Sequence, residues 1–310
     1  MDAHLRAGRK GTGWIGLLLV SLLLSCTAPF LSGNISRDRC EAQPGFVFVP
    51  AGQFIAGSNQ AERDYAYEIS AAAIASDPSG RAAAEQRLRQ RGWFDHEPER
   101  QTTEQAAFCI SQQLVTNADY QQFVQATGHR PPGIAEADYQ AQGFLVHSYS
   151  EVQPYLWQGA DYPAGEAQHP VVLVSYADAI AYAEWKGQQD GHTYRLPTAL
   201  EWEKAARGEE GRYFPWGSEW QPAATNWAQQ GNLHTSPVGA YPLSRSVYGV
   251  EDMAGNVFEF TELQSDRQQI VMKGCSWDDL PGFCRAAYRH GRPASSRHIL
   301  FGFRLILDQI

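Results

Sequence analysis

Residues 169–187 of this 310-residue chain read HPVVLVSYADAIAYAEWKG, and residues 195–208 read RLPTALEWEKAARG. Ser175 precedes apolar residues that recur at helical spacing, so we expect it to cap a helix over ADAIAYAEWKGQQ. Thr198 opens a match to the S/T-x-x-E capping box, and Gly208 stands where a helix-ending glycine belongs. The two stretches therefore predict two helices, each with its own cap.

On either side of these helices the sequence indicates short strands and further helices. Strand-like segments lie at residues 45–51, 53–56, 107–111, 269–273 and 300–307. Helices are expected over 61–91, interrupted by a turn at 77–80, and from Thr116 to about Gly128. Residues 130–168 show no clear period. This pattern does not favour a doubly wound sheet and indicates an α+β fold that is low in regular secondary structure.

The N-terminal residues have the features of an export signal. Basic residues precede an unbroken apolar run at residues 14–24, which Ser25 and Cys26 follow. The run is shorter than the roughly 20 apolar residues that cross a bilayer, so it predicts a secretory signal. Residues 23–26 (LLSC) also look like a bacterial lipobox, in which the cysteine becomes the acylated N-terminus. An ordinary secretory signal is the alternative.

This interpretation divides the chain into a signal peptide (1–25), a lipid anchor and tether (26–44) and a globular domain (45–310). Several acyl chains on Cys26 would attach the protein durably to a membrane. The predicted location is the bacterial cell envelope, facing the periplasm. Thr27 stands after the cysteine instead of Asp, which favours the outer membrane.

Composition limits the partners and the redox state. The net charge of −9 argues against nucleic acid as a partner, because phosphate binding needs clustered Lys and Arg. Nine Trp, 14 Tyr, 14 Phe and 28 Gly indicate a compact fold with much ordered loop. Beyond the anchor the cysteines are Cys40, Cys109, Cys275 and Cys284. In an oxidising compartment this even number permits two disulfides, with three connectivities.

Several sequence blocks occur in an order that resembles one known family. They are VPAGQFIAGS (49–58), FCISQQLVTNADYQQFV (108–124), the two helical stretches above, FPWG (214–217), SPVGAYP (236–242), YGVEDMAGNVFEF (248–260), KGCSW (273–277) and GFRLIL (302–307). Together they resemble the formylglycine-generating enzyme, or sulfatase-modifying factor, family. The resemblance implies a single α+β domain with a C-type-lectin-like fold.

The resemblance does not by itself imply one activity. The family also contains ergothioneine-pathway iron enzymes, a periplasmic pyoverdine-maturation oxidase and non-catalytic partners of secretion or motility machines. Function therefore has to be argued from the site. In the enzymes that make formylglycine, two cysteines after a Gly-Gly-Ser-aromatic segment bind copper(I) and activate oxygen.

Carried over from Ser276 and Trp277, the first copper cysteine corresponds to Asp279 and the second to Cys284. A hard carboxylate does not replace a thiolate for copper(I), so the standard copper site is broken. Formylglycine formation is therefore not expected. The candidate catalytic residues are Cys284, Ser276, Cys275 and Asp279.

Cys275 could pair with Cys284 as a displaced copper or redox site. The alternative is a structural disulfide, which is the commoner role of cysteines in secreted domains. We expect Cys40 and Cys109 to form the other bond, joining the first strand to the strand at residues 107–111.

The resemblance also implies calcium. Its main site would use side-chain oxygens of Asp252 and Glu259 and the carbonyl oxygens of Gly255 and Val257, completed by water. A tight turn in which polar side chains bond to the backbone is the alternative.

Two further metal sites are less well matched. A second calcium site would use Asn226 and the Trp227 carbonyl, but its partner Asp is not evident. The histidines are scattered, without an HExxH motif, and the chain lacks the extra helical domain that holds iron in the ergothioneine-type enzymes. Iron is therefore not expected.

Positive charge is concentrated in the segment that lines the substrate groove in the family: Arg285, Arg289, His290, Arg292, Arg297 and His298. Arg289 and Arg292 are candidates to bind a carboxylate or phosphate in bidentate fashion. We add Trp277 as a third candidate substrate-binding residue. A solvated charged surface is the alternative.

Two functions from different classes follow. The first is an envelope oxidoreductase that acts on a peptide or a peptide-derived metabolite without the standard copper pair. The second is a non-catalytic binding or assembly module of the same fold that serves an envelope or secretion machine. The broken copper pair favours the second, whereas Ser276, Trp277 and Cys284 favour the first. The oxidoreductase is the preferred interpretation, because the resemblance includes family members that do oxidative chemistry without both cysteines, and the binding module is the alternative.

Overall fold

The computed structural model describes residues 35–143, 146–230, 233–263 and 269–308. The helices are α1 (Arg37–Glu41), α2 (Gln60–Ile74), α3 (Pro78–Arg91), α4 (Asn117–Thr127), α5 (Glu136–Ala141), α6 (Tyr149–Val152), α7 (Tyr176–Asp190) and α8 (Ala199–Arg207). The strands are β1 (Phe46–Val49), β2 (Gly52–Ala56), β3 (Gln101–Gln105), β4 (Phe108–Ser111), β5 (Thr193–Arg195), β6 (Phe258–Phe260), β7 (Gln269–Lys273), β8 (His290–Pro293), β9 (Phe301–Gly302) and β10 (Ile306–Asp308).

The strands form separate small sheets. One sheet has the order β1-β4-β10-β5, and all its pairs are antiparallel. Another has the order β8-β7-β6-β9, in which only the β6–β9 pair is parallel. Strands β2 and β3 form a third, two-stranded sheet. Helices and mainly antiparallel sheets lie in one compact unit over residues 33–310, which confirms the α+β prediction and the single domain.

Capping residues fix the helix ends that the sequence predicts. Thr116, Ser175 and Thr198 each begin a helix with a capping box. Asp77 caps α3 at the predicted turn by accepting a hydrogen bond from the Gly80 N–H. These bonds satisfy backbone donors that a helix start leaves unpaired.

Some elements differ from the sequence prediction. Residues 130–168 contain α5 and α6, each too short to show a helical period. Residues 300–307 form two strands, because the chain leaves β9 in one sheet and enters β10 in the other. Strand β6 lies within the motif that the resemblance assigns to a calcium loop.

The ordered domain begins before the predicted boundary at residue 45. Helix α1 lies inside the predicted tether, and Ile35 and Cys40 are buried. The Cys40–Cys109 disulfide confirms that predicted pair, although it joins α1, rather than strand β1, to β4. The predicted signal peptide and Cys26 lie outside the described residues. Among the helices that are described, none has both the length and the apolar character to cross a membrane.

A buried network of ion pairs joins the elements around the site. Arg207 on α8 pairs with Glu62 on α2, with both side chains inaccessible to solvent. Glu203, also on α8, pairs with Arg207 and with Lys273 at the end of β7. Breaking one partner of such a buried pair costs about 3–5 kcal/mol. The network therefore fixes α2, α8 and β7 relative to one another.

Candidate functional site

A cleft of about 520 Å³ opens beside the segment between β7 and β8. Ligand sites of small molecules commonly have volumes of about 300–1,000 Å³. Its lining combines aromatic and aliphatic side chains with a group of ionisable ones: Trp93, Val146, Phe258, Leu280, Phe283, Leu300, Phe301, Asp278, Asp279, Tyr288, His290, Arg292 and His298. The cleft includes the predicted residues Asp279 and Arg292, together with several residues that were not predicted.

The cysteine pair beside the cleft is oxidised. Cys275 and Cys284 form a disulfide, and both residues are inaccessible to solvent. The Gly255 N–H donates to Cys275 Sγ at 3.0 Å. In this structure neither sulfur is a thiolate that could bind copper(I), because each is bonded to the other. Of the two interpretations offered by the sequence, the structure contains the disulfide.

Asp279 and Ser276 form a local turn at the cleft. Asp279 Oδ2 accepts hydrogen bonds from the Ser276 N–H, at 2.9 Å, and from the Ser276 hydroxyl. Burial nevertheless raises the pKa of the Asp279 carboxyl to about 6. The carboxylate at the first copper position is thus anchored by its neighbour and changes charge near neutral pH. Ser276 is buried and has its hydroxyl engaged in this turn.

A second carboxylate of the cleft lies beside a histidine from another part of the chain. His147 Nε2 lies 3.1 Å from Asp278 Oδ2, and the side chains are 8% and 25% exposed. Burial opposes protonation of His147, but Asp278 and Glu151 raise its pKa above the usual value. His147 and Asp278 therefore form a partly buried ion pair at the cleft.

The two histidines that line the cleft, His290 and His298, both have lowered pKa values. Burial lowers the pKa of His290 to about 3, and the Arg292 charge acts in the same direction. Burial likewise lowers the pKa of His298 to about 3. His290 stacks on Phe258, with ring centroids 4.5 Å apart, and His298 Nε2 lies 3.2 Å from the Tyr139 hydroxyl. Neither histidine therefore supplies positive charge for an anionic ligand.

The predicted basic groove is only partly formed. Arg292 lines the cleft, whereas Arg289 lines a separate pocket of about 160 Å³ beside Val271. Arg285 is fully buried and pairs with Glu97, and Arg297 pairs with Asp178. Buried carboxylates from other segments therefore neutralise Arg285 and Arg297, while ligand binding by Arg289 and Arg292 stays a prediction.

Trp277 supports the cleft from behind. It is 3% exposed, is absent from the cleft lining, and packs against His147 with ring centroids 5.1 Å apart. Its other neighbour is Tyr155, whose ring is parallel at 6.4 Å. Trp277 therefore contacts the histidine that pairs with Asp278, and its contact with a substrate stays a prediction.

The residues of the main predicted calcium site are not equally suited to bind an ion. Both oxygens of Glu259 accept hydrogen bonds from Arg304, at 2.6 and 2.8 Å, and both residues are buried. Binding of an ion by Glu259 would therefore require this ion pair to open. The Gly255 carbonyl accepts from the Val257 N–H at 2.9 Å. This arrangement does not fit the predicted four-ligand set, because its second carboxylate is already neutralised.

Asp252 fits a cation better than Glu259 does. It is 2% exposed, and its Oδ2 accepts from the Gly239 N–H at 2.7 Å. Burial raises its pKa to about 6. At the second predicted calcium site, Asn226 donates to the His234 carbonyl, and the Trp227 carbonyl accepts from the Gln230 N–H. Calcium binding therefore remains a prediction.

Sequence reasoning missed the residues that reach the cleft from distant segments. Trp93 follows α3, Val146 and His147 precede α6, and Phe258 lies in β6. Trp93, Val146 and His147 belong to none of the quoted sequence blocks, and Phe258 lies in the block at 248–260, which the resemblance connects with calcium and not with a ligand cleft. Asp278 gave the one available signal, since it stands next to Asp279 in the segment that carries the copper cysteines in the formylglycine-forming enzymes.

Known proteins of two kinds are similar to this chain in sequence. The bovine (Bos taurus) inactive C-alpha-formylglycine-generating enzyme 2 is 33% identical over 239 residues, covering 64% of this chain and 76% of that protein. The hercynine oxygenase of Mycolicibacterium smegmatis is 30% identical over 251 residues, covering 69% of this chain and 56% of that protein. Relatives therefore include an oxygenase and a protein named as inactive.

A solved structure and a family model complete the comparison. PvdO from Pseudomonas aeruginosa superposes with a TM-score of 0.60 at 24% identity, covering 85% of this chain and 94% of that one. The likeness shows that the two proteins share a fold, as the resemblance implied. The family model described as sulfatase-modifying factor enzyme 1-like domain matches residues 32–309. The chain belongs to the sulfatase-modifying factor enzyme 1-like family.

Proposed function

We propose that this protein binds a peptide or a peptide-derived ligand in the cleft and does not carry out copper-dependent formylglycine formation. One observation carries the proposal: the cleft is open, while its cysteine pair is closed as a buried disulfide beside Asp279. A site that lacks two thiolates has lost the ligands that suit copper(I). Binding requires only the cavity and its side chains, which are present.

The lining supports a ligand with an apolar part and a polar part. Trp93 and Val146 are 37% and 67% exposed, and Phe283 lies beside Trp93 with ring centroids 5.1 Å apart. Exposed apolar side chains at a cleft are typical of a contact surface, because they are otherwise unfavourable in water. Asp279 and Arg292 would contact the polar part of the ligand.

The binding proposal is tested by blocking the cleft. Leu280→Arg places a long charged side chain in the cleft, whereas Leu243→Arg makes the same change at a 52% exposed residue outside the cleft lining. We expect a library of short peptides, screened by protein-observed NMR, to give ligands for the wild type. Leu280→Arg should weaken them at least about tenfold, and Leu243→Arg should not. Equal affinity for Leu280→Arg and the wild type would contradict the cleft as the site.

The second candidate is an oxidoreductase that acts on the same class of ligand. It is favoured by Asp279, whose pKa of about 6 suits a proton donor or acceptor near neutral pH. The oxidant and any redox cofactor would have to come from outside the described residues. Mass spectrometry of each bound peptide after incubation in air tests this candidate. An oxidised product formed by the wild type but not by Asp279→Asn supports catalysis, and unchanged peptides support binding alone.

We also propose that the protein is held in the bacterial envelope through a lipid on Cys26. The support is the basic, apolar and Leu-Leu-Ser-Cys sequence of residues 1–26. Cys26→Ser should release the protein from membranes or leave its signal uncleaved. A variant that is cleaved and still fractionates with membranes would exclude lipidation at this cysteine.

A further inference from the structure

Residues 276–283 form one wall of the cleft, and we name this segment the wall loop. It contributes Asp278, Asp279, Leu280 and Phe283 to the lining. The loop lies between Cys275 and Cys284, so the disulfide closes it at both ends. The bond joins residues nine positions apart, and their Cα atoms are separated by 4.6 Å.

Several hydrogen bonds of the wall loop are local and do not fix its position in the protein. Ser276 bonds to Asp279, and the Phe283 N–H donates to the Leu280 carbonyl. These contacts shape the loop and would move with it. The bonds that reach other segments include the Trp277 N–H to the Asn256 carbonyl, at 3.0 Å.

The far end of the loop also contacts buried groups outside the loop: the Gly282 carbonyl accepts from Arg285 Nε at 3.1 Å, and Phe283 packs against Phe94 with ring centroids 5.1 Å apart. The Gly282 N–H donates to Ser70 Oγ at 2.9 Å, and the Ala228 N–H donates to the Asp279 carbonyl at 3.3 Å. A single neutral hydrogen bond contributes only about 1 kcal/mol net. The disulfide is the covalent constraint that brings this end next to Cys275, and Cys275 is itself fixed just after β7.

We propose that the Cys275–Cys284 disulfide is a positioning element of the cleft, which holds the wall loop so that Asp278 meets His147 and Asp279 faces the ligand. The proposal goes beyond stabilisation of the fold, because it assigns the bond to the geometry of one wall. Its importance for ligand binding rests on the proposed function. The alternative is a bond that adds stability and leaves the wall in place when it is removed.

The other disulfide provides a matched control. Cys40 and Cys109 are also fully buried and bonded, but they join α1 to β4 and do not line the cleft. Their removal also deletes a buried covalent bond from the same domain. A defect that appears with the first pair and not with the second is therefore specific to position, not to the general loss of a crosslink.

The ion pair between His147 and Asp278 reports the position of the wall loop without any ligand. Asp278 Oδ2 lies 3.1 Å from His147 Nε2, and the other charged or titratable groups near His147 include Glu151 and His298. If the loop moves, Asp278 leaves while Glu151 on α6 stays. The pKa of His147 should then fall, because burial continues to disfavour its charged form.

The experiment titrates His147 by NMR in the full chain, with Asp278→Asn as the reference for complete loss of the carboxylate. We expect Cys275→Ser/Cys284→Ser to lower the His147 pKa to near that reference, and Cys40→Ser/Cys109→Ser to leave it at the wild-type value. If the double variant of the wall loop does not fold, Cys284→Ala provides the same test, because it keeps the Cys275 sulfur that accepts from Gly255.

A wild-type His147 pKa in the folded disulfide-free variant, together with a lowered value in Asp278→Asn, would overturn the positioning role. Peptide affinity separates this failure from failure of the proposed function. If the disulfide-free variant has a lowered His147 pKa but binds the selected peptides as the wild type does, the positioning role is supported and the cleft is not the peptide site. If the disulfide-free variant keeps the wild-type His147 pKa and Leu280→Arg loses peptide binding, the proposed function is supported and the positioning role of the disulfide is rejected.

Discussion

Replacing Asp252 with Asn should make the protein more stable at alkaline pH. The Asp252 carboxyl is 2% exposed, and burial raises its pKa from 3.8 to about 6. This shift of about two units corresponds to about 3 kcal/mol that the ionised form costs the folded state. Asn keeps an oxygen to accept from the Gly239 N–H, and it tolerates the positive φ of 54° at this position.

The pH dependence of this stabilisation follows from the upward shift of the Asp252 pKa. A pKa that is higher in the folded state favours the neutral form, so the contribution of Asp252 to stability is fully present below about pH 4. It is lost as the pH rises through about 6. We therefore expect wild type and Asp252→Asn to differ little at low pH, and the variant to be more stable by about 3 kcal/mol near pH 8.

Urea unfolding over this pH range, with a chelator present, measures the difference. A difference that does not change with pH, or one that favours the wild type at alkaline pH, would refute the reasoning. Asp77→Asn is the control, because Asp77 is an exposed helix cap whose pKa is lowered by Ser79 and Gly80. Added calcium tests the predicted ion: if it binds at Asp252, it should restore the stability of the wild type at alkaline pH and leave Asp252→Asn unchanged.

Three further predictions follow from buried bonds and from the site. Removing the Cys40–Cys109 disulfide should lower the free energy of unfolding in urea by roughly 4.4 kcal/mol, and removing Cys275–Cys284 should lower it by roughly 2.6 kcal/mol. The two costs differ because the bonds join residues 69 and nine positions apart. Equal costs would contradict this dependence on loop length. Glu259→Gln should lower the free energy of unfolding by about 3–5 kcal/mol, because it leaves Arg304 buried without its carboxylate. Removal of the half-exposed Arg245 should lower it by less than about 1 kcal/mol. Similar costs for the two variants would refute the difference expected between a buried and an exposed ion pair. No formylglycine should form in a Cys-x-Pro-x-Arg peptide incubated with copper-loaded protein, and its detection by mass spectrometry would reject the role given to Asp279.

Local signals predicted much of the fold. A capping box needs only residues three positions apart, so Thr116, Ser175 and Thr198 were readable from the sequence. Strand β3 was missed, because QTTEQ is polar and mostly exposed and has no apolar alternation. Strand β6 was missed for the opposite reason, since FEF is buried throughout and its glutamate is neutralised by an arginine of the segment after β9.

The candidate site was predictable only where it lies in one segment. Asp279 and Cys284 could be assigned because the resemblance aligns the residues after Ser276 with the copper-binding segment of the family. His147 could not be assigned, because its partner Asp278 is brought to it by tertiary packing. The same limit applies to Arg285 and Arg297, whose charges appeared available until the fold placed Glu97 and Asp178 beside them.

The position of β10 has a consequence for synthesis of the protein. In the sheet order β1-β4-β10-β5, β10 lies between two strands that the ribosome makes much earlier, and it follows every other described strand in the sequence. In a nascent chain that has reached only β9, the edges of β4 and β5 that pair with β10 in the folded protein have no partner. Such edges can pair with other chains. Translation that stalls between β9 and β10 would thus leave an aggregation-prone chain, and a chaperone that covers β4 would be most useful in that interval.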